Sequence, residues 1–160
     1  MFKVEALISL LKRNNSDFFT GVPDSVLKEL STSLQNKKKH IIATNEGAAV
    51  SIGIGQYLAT KKIPIIYMQN SGLSNALNPL ISIAHEKVYS IPLILIIGWR
   101  GSPRIKDEPQ HNVKGKITEQ LLKLLNIKYT IIRSNLDLIK FDKQIKIAKK
   151  KKSIVACLTE

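Results

Sequence analysis

Ile91-Pro92-Leu93-Ile94-Leu95-Ile96-Ile97 is the longest apolar run of the chain. It is far too short to cross a bilayer, which takes about 20 such residues. It also lacks the strict alternation of a strand with one wet face. A β-branched run of this length, with proline near its start and Gly98 after its end, reads as a strand over Pro92–Ile97. Strands this apolar belong to the middle of parallel sheets, where crossover helices cover both faces.

The rest of the chain alternates around this strand. The pattern predicts helices over Phe2–Lys12, Ser25–Leu34, Glu46–Ala59, Ala76–Ala84, Ile117–Leu125 and Leu136–Lys149. Pro79 falls in the first turn of the fourth, where its missing N–H costs nothing. Strands are predicted over Asp17–Thr20, Ile41–Thr44, Pro64–Gln69, Lys128–Ile132 and Ser153–Leu158. Such alternation implies crossover units and an α/β fold: three layers, α/β/α, with a mainly parallel six-stranded sheet.

Parallel sheets bind ligands beyond the carboxyl ends of their strands. Four polar, Gly-rich segments follow predicted strands and therefore share one edge. They are Gly21-Val22-Pro23-Asp24-Ser25, Asn45-Glu46-Gly47-Ala48-Ala49, Gln69-Asn70-Ser71-Gly72-Leu73-Ser74-Asn75, and the stretch from Gly98 to Lys116. The last has no hydrophobic period between Gly98 and His111 and reads as a long functional loop. Leu73 and Trp99 would leave this edge partly apolar, a surface for another chain to cover.

Composition narrows the setting. At 160 residues and 44% hydrophobic, the chain suffices for one core, so residues 1–160 are taken as a single domain. Glu5 interrupts the start where a signal peptide tolerates no acid. The single cysteine, Cys157, lies in an apolar stretch without a neighbouring cation or His, and reads as a buried strand thiol rather than a nucleophile. These features point to the cytoplasm. A net charge of +13 asks whether nucleic acid is the partner. Only four of the 25 cations are Arg, and aromatic residues do not interleave with the lysines as base stacking requires. The densest run, Lys149–Lys152, ends a stretch in which Leu138, Phe141, Ile145 and Ala148 recur at helical spacing. It is therefore the solvated face and C-terminus of a helix. Neither nucleic acid nor membrane is expected; an acidic protein partner suits the surface better.

The four edge segments resemble the thiamine-diphosphate-dependent decarboxylases, in particular the pyrimidine-binding domain of the phosphonopyruvate and sulfopyruvate branch. The resemblance runs from about Val4 to Ile132. Gly21-Val22-Pro23 is shared widely among such enzymes. Gln69-Asn70-Ser71-Gly72-Leu73 is more selective, and also looks like the sulfopyruvate alpha subunit. Gly98-Trp99-Arg100-Gly101 with Lys106-Asp107-Glu108-Pro109-Gln110-His111 points to the phosphonate enzymes.

The resemblance implies a role for individual residues of these segments. By it, Glu46 hydrogen-bonds nitrogen N1′ of the cofactor's aminopyrimidine and so promotes removal of the thiazolium C2 proton; read alone, Glu46 complements a helix N-terminus. Asn70, Ser71 and Gly72 form the cofactor wall, or else a simple turn. Asp24 handles protons or orients substrate, or caps the helix from Ser25. His111 donates a proton after CO₂ departs, or is a solvated loop residue. Arg100, Arg104, Lys106 and Gln110 bind the anionic substrate, the cations matching its oxyanions; pairing of the cations with Asp107 and Glu108 is the alternative. His40 and His85 receive no role, and no metal ligands are assigned to this chain. The family's Gly-Asp-Gly and downstream Asn, which hold Mg²⁺ and the diphosphate, do not occur in this sequence. The expected protein is therefore an alpha-type subunit, or the N-terminal half, of an oligomeric carboxy-lyase converting 3-phosphonopyruvate to phosphonoacetaldehyde and CO₂. A diphosphate-binding domain or beta-type subunit would complete it. Sulfopyruvate is the alternative substrate, and a non-catalytic module of the same fold that binds an anionic partner is the alternative function.

Overall fold

The computed structural model describes residues 3–160, so Phe2, the expected first residue of the opening helix, lies outside the described residues. The six strands are β1 (Phe19–Gly21), β2 (His40–Ile42), β3 (Ile65–Gln69), β4 (Ile94–Gly98), β5 (Lys128–Ile132) and β6 (Val155–Thr159). They form one sheet in the order β2-β1-β3-β4-β6-β5, and every neighbouring pair is parallel. The helices are α1 (Val4–Arg13), α2 (Lys28–Leu34), α3 (Glu46–Thr60), α4 (Leu73–Pro79), α5 (Pro109–Leu124) and α6 (Asn135–Lys151).

Two cores flank the sheet, and the alternation missing from the sequence reappears in them. Ile94 and Ile96 face α1, α2 and α6, packing with Leu7, Leu11, Leu30, Leu34 and Phe141. Leu95 and Ile97 face α3, α4 and α5, packing with Val50, Ile54, Leu73 and Leu122. Every residue of β4 is buried because both sides of the strand are apolar contacts. Leu138, Phe141, Ile145 and Ala148 form the buried stripe of α6, with Lys149, Lys150 and Lys151 in its last turn. Cys157 is wholly buried in β6, and burial pushes its thiol well above the ordinary range. Among the described residues, no helix is long and apolar enough to cross a membrane.

Several expectations need correction, among them the start of the second helix, at Lys28 rather than Ser25. The fourth helix begins earlier than Ala76. Its path opens with a 3₁₀ turn over Asn70–Gly72, continues as α4, and ends in a π-helical turn over Leu80–Ala84. Pro79 therefore lies mid-path rather than in a first turn. Lacking an N–H, it leaves the Asn75 carbonyl without its usual donor, and the helix widens just after it. The stretch after β4 is half helix, since α5 begins at Pro109 rather than near Ile117. Proline at N1 starts that helix with φ already set. Finally, β2 spans His40–Ile42 rather than Ile41–Thr44 and is an edge strand, with Ile42 62% exposed.

Candidate active site

The chain leaves β1 toward β2 through α2 on one face of the sheet, and leaves β3 toward β4 through α4 on the other. Neighbouring strands β1 and β3 thus send their chains in opposite directions, and a crevice opens between their carboxyl ends. This is the switch point at which open parallel sheets bind ligands. Asp24, Gln69 and Ser71 meet there. Asp24 Oδ1 accepts from the backbone N–H groups of Val26 (2.6 Å) and Leu27 (3.0 Å), capping the turn into α2. Its Oδ2 accepts from Gln69 Nε2 at 2.9 Å, and Gln69 Oε1 accepts from Ser71 Oγ at 2.7 Å.

Glu46 opens α3. Asn45 is the N-cap, its side-chain oxygen accepting from Ala48 N at 2.8 Å. The half-buried Glu46 carboxyl leans across to the start of α4, where Oε2 accepts from Asn75 Nδ2 at 2.9 Å. Gly72 makes room for it: a Cβ there would stand 2.3 Å from Glu46 Cγ and 2.4 Å from Oε1. A side chain at position 72 and the observed Glu46 rotamer are mutually exclusive.

Asn70 is a strut. It is 5% exposed, and its amide donates to the Arg100 carbonyl (3.0 Å) and Thr118 Oγ1 (2.9 Å) while accepting from Arg100 N (3.1 Å). Both its amide hydrogens are committed within the protein, so its tie is to the β4 loop rather than to the crevice. Arg100 grips Asp107 bidentately, Nε to Oδ2 at 2.7 Å and Nη2 to Oδ1 at 2.6 Å, and reaches Ser25 Oγ with Nη1 at 3.2 Å. Asp107 also accepts from the N–H groups of Gly101 and Glu108. The guanidinium, helped by those two N–H groups, holds the Asp107 carboxyl far below the usual carboxylate range, and Arg100 is raised in turn. Gly101, at φ 68°, turns the chain where a side chain would strike the His111 carbonyl.

The remaining candidates lie further along. Arg104 and Lys106 are exposed on the loop, while Gln110 and His111 belong to the first turn of α5, not to a loop. His111 is half-buried, with Nδ1 enclosed and without a hydrogen-bond partner among the described residues. The expected open apolar surface around Leu73 and Trp99 is absent: they are 0% and 3% exposed, and Trp99 Nε1 donates to the Gly115 carbonyl at 3.0 Å. Indole and backbone together pin the loop against α5. His40 bonds Tyr67 Oη at 2.8 Å beneath the site, and burial lowers its affinity for a proton. Two participants, Gln69 and Asn75, are not singled out by the sequence, and only their places in the segment that holds Asn70 and Ser71 could mark them. Asp107 is the partner expected for the cations, and it pairs with Arg100.

The sequence profile of the thiamine pyrophosphate enzymes, N-terminal TPP-binding domain, matches residues 2–122. The chain belongs to this family. The matched span of this thiamine pyrophosphate (thiamine diphosphate) enzyme domain runs from before α1 into α5 and holds all four edge segments. The domain is 37% identical over 119 residues to a phosphonopyruvate decarboxylase from Streptomyces viridochromogenes, covering 73% of this chain and 29% of that protein. It is 38% identical over 125 residues to sulfopyruvate decarboxylase subunit alpha from Methanocaldococcus jannaschii, covering 76% and 71%. The counterpart from Methanococcus maripaludis is 35% identical over 127 residues, covering 78% and 74%. The chain thus spans less than a third of the phosphonopyruvate decarboxylases it matches, and most of the sulfopyruvate alpha subunits.

Proposed function

We propose that this chain is the pyrimidine-binding half of a thiamine-diphosphate-dependent decarboxylase that converts 3-phosphonopyruvate to phosphonoacetaldehyde and CO₂. The observation that carries the reading is the Glu46 carboxyl, fixed between Asn75 and Gly72 at the functional edge of the sheet. The residues fit an aminopyrimidine: a carboxyl to meet a ring nitrogen, beside a wall whose Gly72 admits close approach. When bound, thiamine diphosphate supplies the carbon nucleophile and the electron sink that decarboxylation needs.

The chain's own residues then divide the work. With Oε2 held by Asn75, Glu46 would meet the ring nitrogen of the cofactor as a positioned acid–base group. Ser71 and Gly72 line the ring, and Asn70 keeps their turn joined to the Arg100 loop. Asp24 orients the substrate from across the crevice, and His111 delivers a proton to the substrate carbon once CO₂ has left. Arg100, Arg104, Lys106 and Gln110 receive the substrate's anionic groups. Arg100 is already paired with Asp107, so it acts as a directed donor through its remaining N–H bonds, and Lys106 brings net charge. Mg²⁺ and the diphosphate belong to a second domain, on a beta-type subunit or a longer form of the chain, within an oligomer. A cytoplasmic setting agrees with the single buried thiol.

Sulfopyruvate is the second reading, favoured by the greater coverage of the sulfopyruvate alpha subunits. Comparison of kcat/KM for 3-phosphonopyruvate, sulfopyruvate and pyruvate in the assembled enzyme decides between them. Lys106→Ala should depress kcat/KM for the preferred dianionic substrate roughly ten- to a hundredfold more than for pyruvate, the scale of a charge-assisted contact. Arg100→Ala should do the same but also loosen the loop that Asp107 ties. Equal losses on pyruvate and on the dianions would remove the second anion from these residues.

A further inference from the structure

The link between the β1 and β3 loops runs through Gln69, the last residue of β3. Chemistry fixes its orientation. An ionised carboxylate only accepts, so the end of the Gln69 side chain that faces Asp24 is the amide nitrogen; the Ser71 hydroxyl then donates to the amide oxygen. Asp24 Oδ1 is occupied by Val26 and Leu27, so the oxygen left to face the crevice is Oδ2, and Gln69 Nε2 is what holds it. Ser71 in turn is the middle residue of the 3₁₀ turn that carries Gly72 against Glu46. A single side chain therefore joins the wall beside Glu46 to the carboxylate across the switch point.

We infer that Gln69 is a positioning residue that sets the Asp24 carboxylate relative to the Ser71–Gly72 wall, so that the two sides of the crevice keep a fixed separation. Its effect on turnover rests on the decarboxylase reading; the bridge itself rests only on these hydrogen bonds. Gln69→Leu removes both contacts at similar bulk. Gln69→Glu preserves shape but sets one carboxylate against another at hydrogen-bond distance, where like charges repel. Adding Asp24→Asn repairs that clash: the new amide at position 24 donates to the new carboxylate at position 69, which still accepts from Ser71. Donor and acceptor are exchanged and the bridge is restored.

Thermal unfolding of the 160-residue chain, compared among wild type, Asp24→Asn, Gln69→Glu and the double variant, measures this coupling. Gln69→Glu should lower Tm, and the double variant should recover most of the loss. Additive losses would overturn the bridge. In the assembled enzyme, Gln69→Leu should lower kcat on the order of ten- to a hundredfold, the scale of a misplaced group, with thiamine diphosphate affinity unchanged. A wild-type kcat in that variant would overturn the positioning role. Absence of turnover in the assembled wild-type enzyme would instead sink the decarboxylase reading, and the Tm cycle would still judge the bridge.

Discussion

Glu46 shows how much a single position at a strand end has to satisfy. It begins α3, where the helix N-terminus favours a carboxylate, and it also meets Asn75 across a gap that only Gly72 leaves open. Removing its ability to exchange a proton while keeping its shape separates these duties. In the assembled enzyme, Glu46→Gln should leave thiamine diphosphate binding largely intact while lowering kcat by about a hundredfold or more, as expected for a positioned acid–base group. Calorimetric binding alongside steady-state turnover measures both, and near-normal turnover would reduce Glu46 to a helix-end charge. Beneath the site, Tyr67 carries a different signature. Burial pushes its phenol up to about 12, and Tyr129, half-buried and beside Glu119, is also raised to about 12. In the unfolded chain such phenols ionise near 10. The folded state therefore keeps its full advantage below about pH 10 and loses it progressively as pH rises from about 10 toward 12. Urea unfolding across that window should show stability falling, with a shallower fall in Tyr67→Phe, whose residue cannot ionise; identical slopes would mean that Tyr67 is not held neutral.

At the scale of elements, legibility in the sequence tracked the strength of the pattern. β5 has the predicted limits, and α3 and α6 differ only at their ends, because caps and periodicity agree: Asn45 before Glu46, and Ser134 with Asp137 in a reciprocal capping box. The α4 path was misplaced because the 3₁₀ and π turns around it break the regular spacing, although Leu73, Ala76, Leu80 and Ala84 are its buried side. The apolar spacing marks α5 only from Ile117 because its first turn, Pro109 to Asn112, contains no apolar residue after the proline; Pro109 itself is the start signal there. Asp24 is ambiguous for a physical reason: one carboxylate oxygen caps a turn and the other bonds Gln69 at the crevice, so the cap alone does not use up the side chain. Asn70 lies in the motif that marks the edge, yet only the fold reveals that its amide is spent on the Arg100 loop. Asn45 offers the test at this scale. Asn45→Ala removes the hydrogen bond to Ala48 N and should cost about 1 kcal/mol, the usual loss for a helix N-cap, read as a lower urea midpoint. An unchanged midpoint would mean that α3 is fixed by packing alone, and Glu46 with it.

For the whole molecule, the sheet order explains why residues far apart in sequence share one edge. All six strands point the same way, and the reversal between β1 and β3 sets the Asp24 loop against the Gln69–Gly72 turn. That edge is not a covered hollow, however. The structure buries Leu73 and Trp99, leaving a polar rim, and exposes apolar side chains elsewhere, including Val113, Ile117 and Leu124 on α5. On the reading proposed above, the fold presents half of a site, a pyrimidine-binding edge that a second domain would complete with the diphosphate ligands. The direct measurement is CO₂ release from 3-phosphonopyruvate and from sulfopyruvate with thiamine diphosphate and Mg²⁺, as increasing amounts of a diphosphate-binding partner domain are added to a fixed amount of this chain. No turnover without the partner, then a rate that rises and saturates on one of the two substrates, is the predicted result. Turnover by the chain alone, or none on either substrate with the partner in excess, would contradict it.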